Sequence, residues 1–328
     1  MCLSEFDIIR TYFQREQQSD SVIAGIGDDC ALLAVTPGQY LAVSMDTLVA
    51  GRHFPLAATP YDIGRRALCV NISDIAAMAA TPTWFTLGLT LPDANHEWLK
   101  QFSQGLFDIA NRFHCALVGG DTTRGPLSIT IQVHGQAAPE HVLTRDKAQA
   151  GDTVFVTGTL GDGAAALAML EGRLAVDENA QHYLYERFYA PEPQVRAGLL
   201  LGPLSHSAID ISDGLLADLG HIARASDVAI EIDVEAIPLA PALASIVARS
   251  PQTWREWSLT GGDDYQLAFT VPAAHIHTVQ QLIESGQLQA TAIGRVNSTD
   301  TTPSVSCQLH GKPYAPPSTQ GYQHFVAP

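Results

Sequence analysis

Apolar positions along the chain change period repeatedly, and each change marks an element. Near the N-terminus, Phe6, Ile9, Tyr12 and Phe13 recur at helical spacing, which predicts an amphipathic helix within the first 25 residues. Gly25 to Asp29 interrupts it as a loop. Tyr40 to Ser44 reads as a short strand ending at Met45-Asp46-Thr47. From Asp62 to Ala80, apolar side chains return every three or four residues (Ile63, Ala67, Leu68, Ile72, Ile75), which predicts a helix stopped by Thr81-Pro82. Trp84 to Leu91 reads as a strand. Asn95 to Phe113 reads as a second helix with Asn95 as its N-cap. Cys115 to Val118 is a short strand running into Gly119-Gly120-Asp121, and Leu127 to His134 alternates as a half-buried strand does.

A boundary falls near Ala150-Gly151-Asp152, giving domains over 1–149 and 150–328. Beyond it, Thr153 to Thr157 predicts a strand. Gly158-Thr159-Leu160-Gly161-Asp162-Gly163 leads into an Ala-rich helix ending at Leu170, and Tyr189 to Pro193 is a rigid connector. Ser212-Asp213-Gly214 precedes a helix to about Ala225. Val228–Ile232, Tyr265–Val271 and Thr291–Val296 read as strands, with helices near 241–248 and 274–285. The Thr/Pro/Ser-rich tail from Thr299 is expected to wrap the surface. Strands and helices do not alternate strictly, so the fold class is α+β, two mixed α/β domains in layers, rather than one doubly wound sheet.

Composition narrows the function. The 328 residues carry 18 Lys+Arg against 34 Asp+Glu, a net charge of −16. A general phosphate-backbone binder or an anionic-membrane binder is normally basic, so no nucleic acid and no membrane is expected as a partner. No apolar run reaches the length of a membrane span, and the first fifteen residues lack a signal-peptide core. Five scattered cysteines without a C-x-x-C pair fit the reduced cytoplasm. The acidity is uneven, however: Asp outnumbers Glu 22 to 12.

Nine of those Asp lie in six short segments that close apolar runs: Gly27-Asp28-Asp29, Met45-Asp46-Thr47, Asn71-Ile72-Ser73-Asp74, Gly119-Gly120-Asp121, Asp210-Ile211-Ser212-Asp213-Gly214 and Gly261-Gly262-Asp263-Asp264. Short carboxylates beside glycine suit hard cations such as Mg²⁺, which take oxygen ligands. Asp beside Gly is also ordinary turn chemistry, and Ser212 or Asp213 can cap the helix that follows. Adjacent carboxylates such as Asp28-Asp29 repel unless a cation is near. A Walker-type phosphate loop is missing. The 158–163 loop offers backbone N–H groups to a phosphate or is a plain strand-to-helix turn. Arg124 and Arg145 are candidate phosphate contacts.

The segments GIGDDCALL (25–33), DTLVAGRHF (46–54), VNISDIAAMAATPTW (70–84), GGDTTRGPLSITI (119–131), LTRDKAQAGD (143–152), VTGTLGDGAAAL (156–167), IDISDGLLADLGHI (209–222), SLTGGDDY (258–265) and GYQHF (321–325) together resemble the bacterial thiamine-monophosphate kinases. That family belongs to the superfamily of aminoimidazole ribonucleotide synthetase and selenophosphate synthetase. The resemblance implies a PurM-like fold, with an N-terminal domain whose sheet pairs in a homodimer and a C-terminal domain that completes the nucleotide and substrate site. It implies ATP-dependent phosphorylation of thiamine monophosphate by direct in-line transfer with several Mg²⁺ ions. By matching motif, Asp29, Ser44, Met45 (through its backbone), Asp46, Asp74, Asp121, Asp210 and Asp213 would hold metal, with Asp46, Asp74 and Asp121 as the catalytic set. Gly120, Asp121, Arg145 and Ser212 would contact ATP. His53, Asp263 and Tyr322 would line the thiamine-phosphate site.

Two positions depart from the family pattern. Asp263 stands where Glu is common, and Tyr322 or Phe325 must serve for the C-terminal Trp or Phe. Selenophosphate synthesis would want a reactive Cys in a flexible Gly-rich N-terminal loop, and neither Cys2 nor Cys30 sits in one. Ring closure of an aminoimidazole precursor would want that family's own substrate loops, which the sequence does not show. A non-catalytic nucleotide- or metal-binding relative is a further alternative, although no motif is degraded.

Overall fold

In the computed structural model, residues 4–15, 19–316 and 321 are described. The chain divides into two compact units, Met1–Ile75 with Ala80–Pro139, and Ala76–Ala79 with Glu140–Pro328.

The first unit opens with a short helix, α1 (Glu5–Ile8), closed at its start by a reciprocal Ser4–Asp7 capping box and continued by a π-helical turn over Ile9–Phe13. Tyr12 and Phe13 are buried, but Phe6 is 75% exposed, so only part of the expected apolar face turns inward. A small pair, β1 (Val22–Ala24) and β2 (Leu32–Leu33), flanks the 25–31 loop. The main sheet contains β3 (Tyr40–Val49), β4 (Thr81–Leu91), β5 (Ala116–Arg124) and β6 (Ser128–Ala137) in the order β3-β6-β4-β5. Only β4 and β5 run parallel. Two helices accompany it, α2 (Pro60–Ala77) and α3 (His96–Arg112). Asn95 caps α3 as expected, its side chain accepting from the Trp98 N–H at 3.0 Å.

Two strands outrun the sequence expectation. The strand from Tyr40 continues to Val49, and the one expected to end at Val118 continues to Arg124. Met45-Asp46-Thr47 and Gly119-Gly120-Asp121 therefore lie within strands rather than beyond them. The reason is ladder pairing: β3 keeps an unbroken antiparallel register with β6 from Tyr40 to Val49. Pairing with a neighbour overrides weak local strand signals. Alternation then sorts the side chains. Ile129, Ile131 and Val133 of β6 are buried, whereas Leu41, Val43 and Met45 of the edge strand β3 are exposed.

The second unit is built on a seven-stranded sheet. Its elements in chain order are β7 (Thr153–Thr157), α4 (Asp162–Leu170), α5 (Glu178–Tyr189), α6 (Val195–Leu201), β8 (Ser207–Asp210), α7 (Leu215–Ser226), β9 (Ala229–Asp233), α8 (Ala244–Arg249), α9 (Pro251–Thr260), β10 (Leu267–Val271), α10 (Ile276–Glu284), β11 (Ala290–Asn297), β12 (Ser304–Leu309) and β13 (Lys312–Tyr314). The strand order is β13-β12-β9-β11-β7-β10-β8, antiparallel except β9 with β12. Two apolar clusters form its core: one around Val156, Ile209, Leu219 and Ile230, the other around Phe155, Phe269 and Leu201. Part of the tail expected to wrap the surface instead adds β12 and β13 to this sheet, and Cys307 is buried there. Both units thus have the layered α+β character that the pattern predicts.

Candidate active site

In the first unit, β3 and α2 bring polar side chains together. The Ser44 hydroxyl donates to Asp74 Oδ2 at 2.5 Å, and the Asp46 N–H donates to Asn71 Oδ1 at 3.1 Å. Even-numbered residues of β3 share one face, and Asn71 and Asp74 share one helix face at i, i+3. Ser44, Asp46 and Asp74 are half-buried, so their oxygens keep access to solvent, while Met45 faces the other way and is exposed. Asn71 is buried and anchored by donating to the Ala67 carbonyl at 2.8 Å.

Just past the end of β3, His53 Nδ1 accepts from the Val49 N–H at 2.9 Å, and the Arg66 Nε–H donates to the His53 carbonyl at 3.0 Å. An accepting Nδ1 in a neutral imidazole leaves the proton on Nε2. In that neutral form His53 can donate through Nε2.

At β5, the opposite edge of the same sheet, a cavity of about 760 Å³ is lined by the 25–31 loop, by Thr86 and Leu87 of β4, and by Gly119 to Thr122. Phe6 and Arg10 also line it. Asp28, Asp29 and Asp121 are exposed there, and the Asp29 N–H donates to Asp28 Oδ1 at 2.9 Å. Gly120 has φ +146°, and a Cβ on it would lie 2.0 Å from the Leu87 carbonyl oxygen. Only glycine permits this backbone-on-backbone approach within a strand.

The second unit treats its carboxylates differently. Asp264, paired in sequence with Asp263, is fully buried and accepts from the N–H groups of Gly161 at 2.7 Å and Gly163 at 2.9 Å. Burial, then the neighbouring Asp162 charge, pushes its carboxyl up to about 7 against the pull of those two donors. Two N–H groups of the 158–163 loop thus go to an internal carboxylate, which favours the plain strand-to-helix turn over the phosphate cradle. Asp218 plays a matching part. Its Oδ2 accepts from the N–H groups of Ser212, Asp213 and Gly214, each at 3.1 Å, and burial pushes it up to about 7. Neither Ser212 nor Asp213 caps α7, as the turn reading expected. Asp218, four residues into that helix, does this from inside.

Asp263 is half-buried beside this core, with φ +69° and its N–H donating to the Ser212 carbonyl at 2.9 Å. Asp210 is buried at the end of β8 and Asp213 is half-buried in the following loop. Arg145 is exposed, its carbonyl accepting from Ser226 at 2.8 Å. Tyr322 lies outside the described residues, but Gly321 packs on the 213–217 turn, where a Cβ would lie 2.6 Å from Ala217 Cβ.

Among the described residues, no three His, Cys, Asp or Glu side chains form a ready metal cage, and no helix is long and apolar enough to cross a membrane. Sequence reasoning missed the buried Asp162 and Asp218, and the half-buried Tyr183 and Arg187 that support Asp162. The signal available for Asp162 was Thr159 three residues before it, and for Asp218 its place in the first turn of a helix.

Known proteins share this two-unit fold. The profile of the AIR synthase related protein, N-terminal domain, matches residues 27–137, and that of the C-terminal domain matches 149–305. Thiamine-monophosphate kinase from Escherichia coli (strain K12) is 44% identical over 330 residues, covering 100% of both chains. The crystal structure of thiamine-monophosphate kinase from Stenotrophomonas maltophilia K279a superposes with a TM-score of 0.84 at 42% identity, covering 96% of this chain and 99% of that one. AaThiL complexed with AMPPCP and TMP superposes with a TM-score of 0.78 at 31% identity, covering 98% and 97%. On this similarity along its whole length, the chain belongs to the thiamine-monophosphate kinase family, built from the two AIR synthase related domains.

Proposed function

We propose that the chain transfers the γ-phosphoryl group of ATP to the phosphate of thiamine monophosphate, giving thiamine diphosphate and ADP. The carrying observation is the similarity, over 98% of the chain, to a protein whose structure holds AMPPCP and TMP. In the first unit, Gly120 and Asp121 line the cavity that we assign to the ATP phosphates, and His53 offers its Nε2 proton to the acceptor phosphate. In the second unit, Arg145 and Ser212 serve ATP, and Asp263 serves the thiamine heterocycles together with Tyr322.

The donor set fits Mg²⁺. Ser44, the Met45 carbonyl, Asp46 and Asp74 at β3, Asp29 and Asp121 at β5, and Asp210 and Asp213 in the second unit each offer hard oxygens only, and Mg²⁺ typically keeps waters and takes substrate phosphates instead of filling an all-protein cage. Bound there, it would supply positive charge to two anionic substrates. At ~4 Å and an effective dielectric of about 20, each unit pair of their charges repels by ~4 kcal/mol. Ser44 holds Asp74 in place, and Asn71 fixes the backbone of Asp46, so these oxygens are set before substrate arrives. The acceptor phosphate is already ionised near neutral pH, so no residue needs to act as a strong base. Positioning and charge then carry an in-line transfer.

The exposed Leu41, Val43 and Met45 side chains give the β3 face an apolar surface suited to a second copy, so we propose a homodimer through this sheet. Buried free thiols at Cys69, Cys115 and Cys307 fit a reducing compartment, and we place the reaction in the cytoplasm. The test is product analysis with ATP, Mg²⁺ and thiamine monophosphate. Thiamine diphosphate and ADP in equal amounts are expected, with inversion at a chiral γ-phosphorus. Thiamine-monophosphate-independent ATP hydrolysis alone rejects the reading, and retention rejects direct transfer.

A further inference from the structure

Asp263 and Tyr265 both hold left-handed backbone, at φ +69° and +49°, on either side of the inward-facing Asp264. For residues with a Cβ this conformation is costly and persists only when the surroundings impose it. Here they do so from two sides. The N–H groups of Asp263 and Tyr265 donate to the Ser212 and Ile211 carbonyls at 2.9 and 2.8 Å. On the other side, the first turn of α4 presses on the loop so closely that a Cβ on Gly163 would lie 2.5 Å from the Asp263 carbonyl oxygen.

Between these walls lies a buried charge group. Asp264 is clamped by the N–H groups of Gly161 and Gly163. Arg187 donates through Nη2 to the Asp264 carbonyl at 3.1 Å and through Nε to Asp162 Oδ2 at 3.2 Å. Thr159 and Tyr183 each donate to that same Asp162 oxygen at 2.6 Å. The anchor is inside, and the two residues flanking it are held in a fixed attitude. In that attitude the Tyr265 hydroxyl donates to Asp263 Oδ1 at 3.1 Å.

We propose that Tyr265 is a positioning residue for the acceptor substrate, orienting the Asp263 carboxylate through its hydroxyl while the buried Asp162–Arg187–Asp264 group holds both residues in left-handed backbone. This rests on the assignment of Asp263 to the thiamine heterocycles made above. A carboxylate with one oxygen tied to a hydroxyl presents a defined direction to an N–H donor or a cationic ring, whereas a free one must be ordered on binding.

Steady-state kinetics of the full chain, with each substrate varied in turn, test this. Tyr265→Phe keeps the ring and removes only the donor. It is expected to raise KM for thiamine monophosphate about five- to tenfold, leaving KM for ATP and the melting temperature unchanged. Asp263→Asn is expected to do at least as much, and the double variant no more than Asp263→Asn alone, because the hydroxyl acts through that carboxylate. An unchanged acceptor KM in Tyr265→Phe, or full additivity in the double variant, overturns the role of Tyr265. Absence of thiamine-monophosphate turnover in the unaltered protein overturns the proposed function instead, and the acceptor assignment with it.

Discussion

Asp74 and Asp264 carry the same side chain and both come from segments that mark a hard-cation site in the sequence, yet the two units use them in opposite ways. Asp74 is half-buried, meets the Ser44 hydroxyl, and keeps its carboxylate within reach of solvent. Asp264 is sealed in the interior and held by two backbone N–H groups, one on each oxygen. The first arrangement leaves the carboxylate partly open to solvent, where we propose that it meets a cation. The second uses its carboxylate to hold a loop. An acidic residue beside glycine therefore says little until its burial is known, because burial decides whether solvent and ions or the protein's own amides answer the charge.

Substitution breaks this contrast most directly. Asp46→Asn or Asp74→Asn is expected to cut turnover by about 10³-fold or more, comparable to losing a preorganised electrostatic group. Ligand-free melting should barely move. Rates near normal would remove both residues from the metal set.

Asp264→Ala should do the reverse. Breaking a buried charge group costs about 3–5 kcal/mol, and each kcal/mol is worth about 2–4 °C for a unit of this size. Calorimetry should show that loss. If Asp264→Ala melts like the parent, the anchoring role fails.

Acidity sharpens the comparison further. Asp264 holds its proton more tightly folded than unfolded, so its contribution to stability is complete below its ordinary value of 3.8 and is lost as pH rises through about 7. Melting temperature measured across that window should carry a falling component. In Asp264→Asn that component should vanish, and an unchanged slope would assign it elsewhere.

The smallest effect is expected at His53. His53→Ala should raise KM for thiamine monophosphate about tenfold with little change in ATP binding by calorimetry. Equal effects on both substrates would contradict the donor role of Nε2.

Much of the fold is legible in periodicity alone. The α3 helix with its Asn95 cap and strands β7, β9 and β11 fall where the pattern places them: α3 and β11 are long, β9 alternates, and β7 is a compact apolar run bounded by turn residues. What the pattern misses are segments whose state depends on neighbours. The strand Ser207–Asp210 is four residues long and fully buried, so it shows no alternation. The extensions of β3 and β5 exist because partner strands run alongside them. In the site, residue type and spacing pick out Asp46, Asp74 and Asp121 but do not separate Asp263 from Asp264. They also pass over Asp162, which sits in a Gly-Asp-Gly turn but faces inward, and Arg187, which lies far from any Gly-Asp segment.

Order along the chain, then, determines the layered α+β class, the acidic character and the family, since these depend on residue identity, period and motif sequence. Tertiary structure alone decides which carboxylates stay open to solvent and which become internal anchors. That choice depends on desolvation and on the backbone donors that reach each oxygen. Gly161 and Gly163 approach Asp264 from about a hundred residues away, and no local signal in the sequence carries that distance.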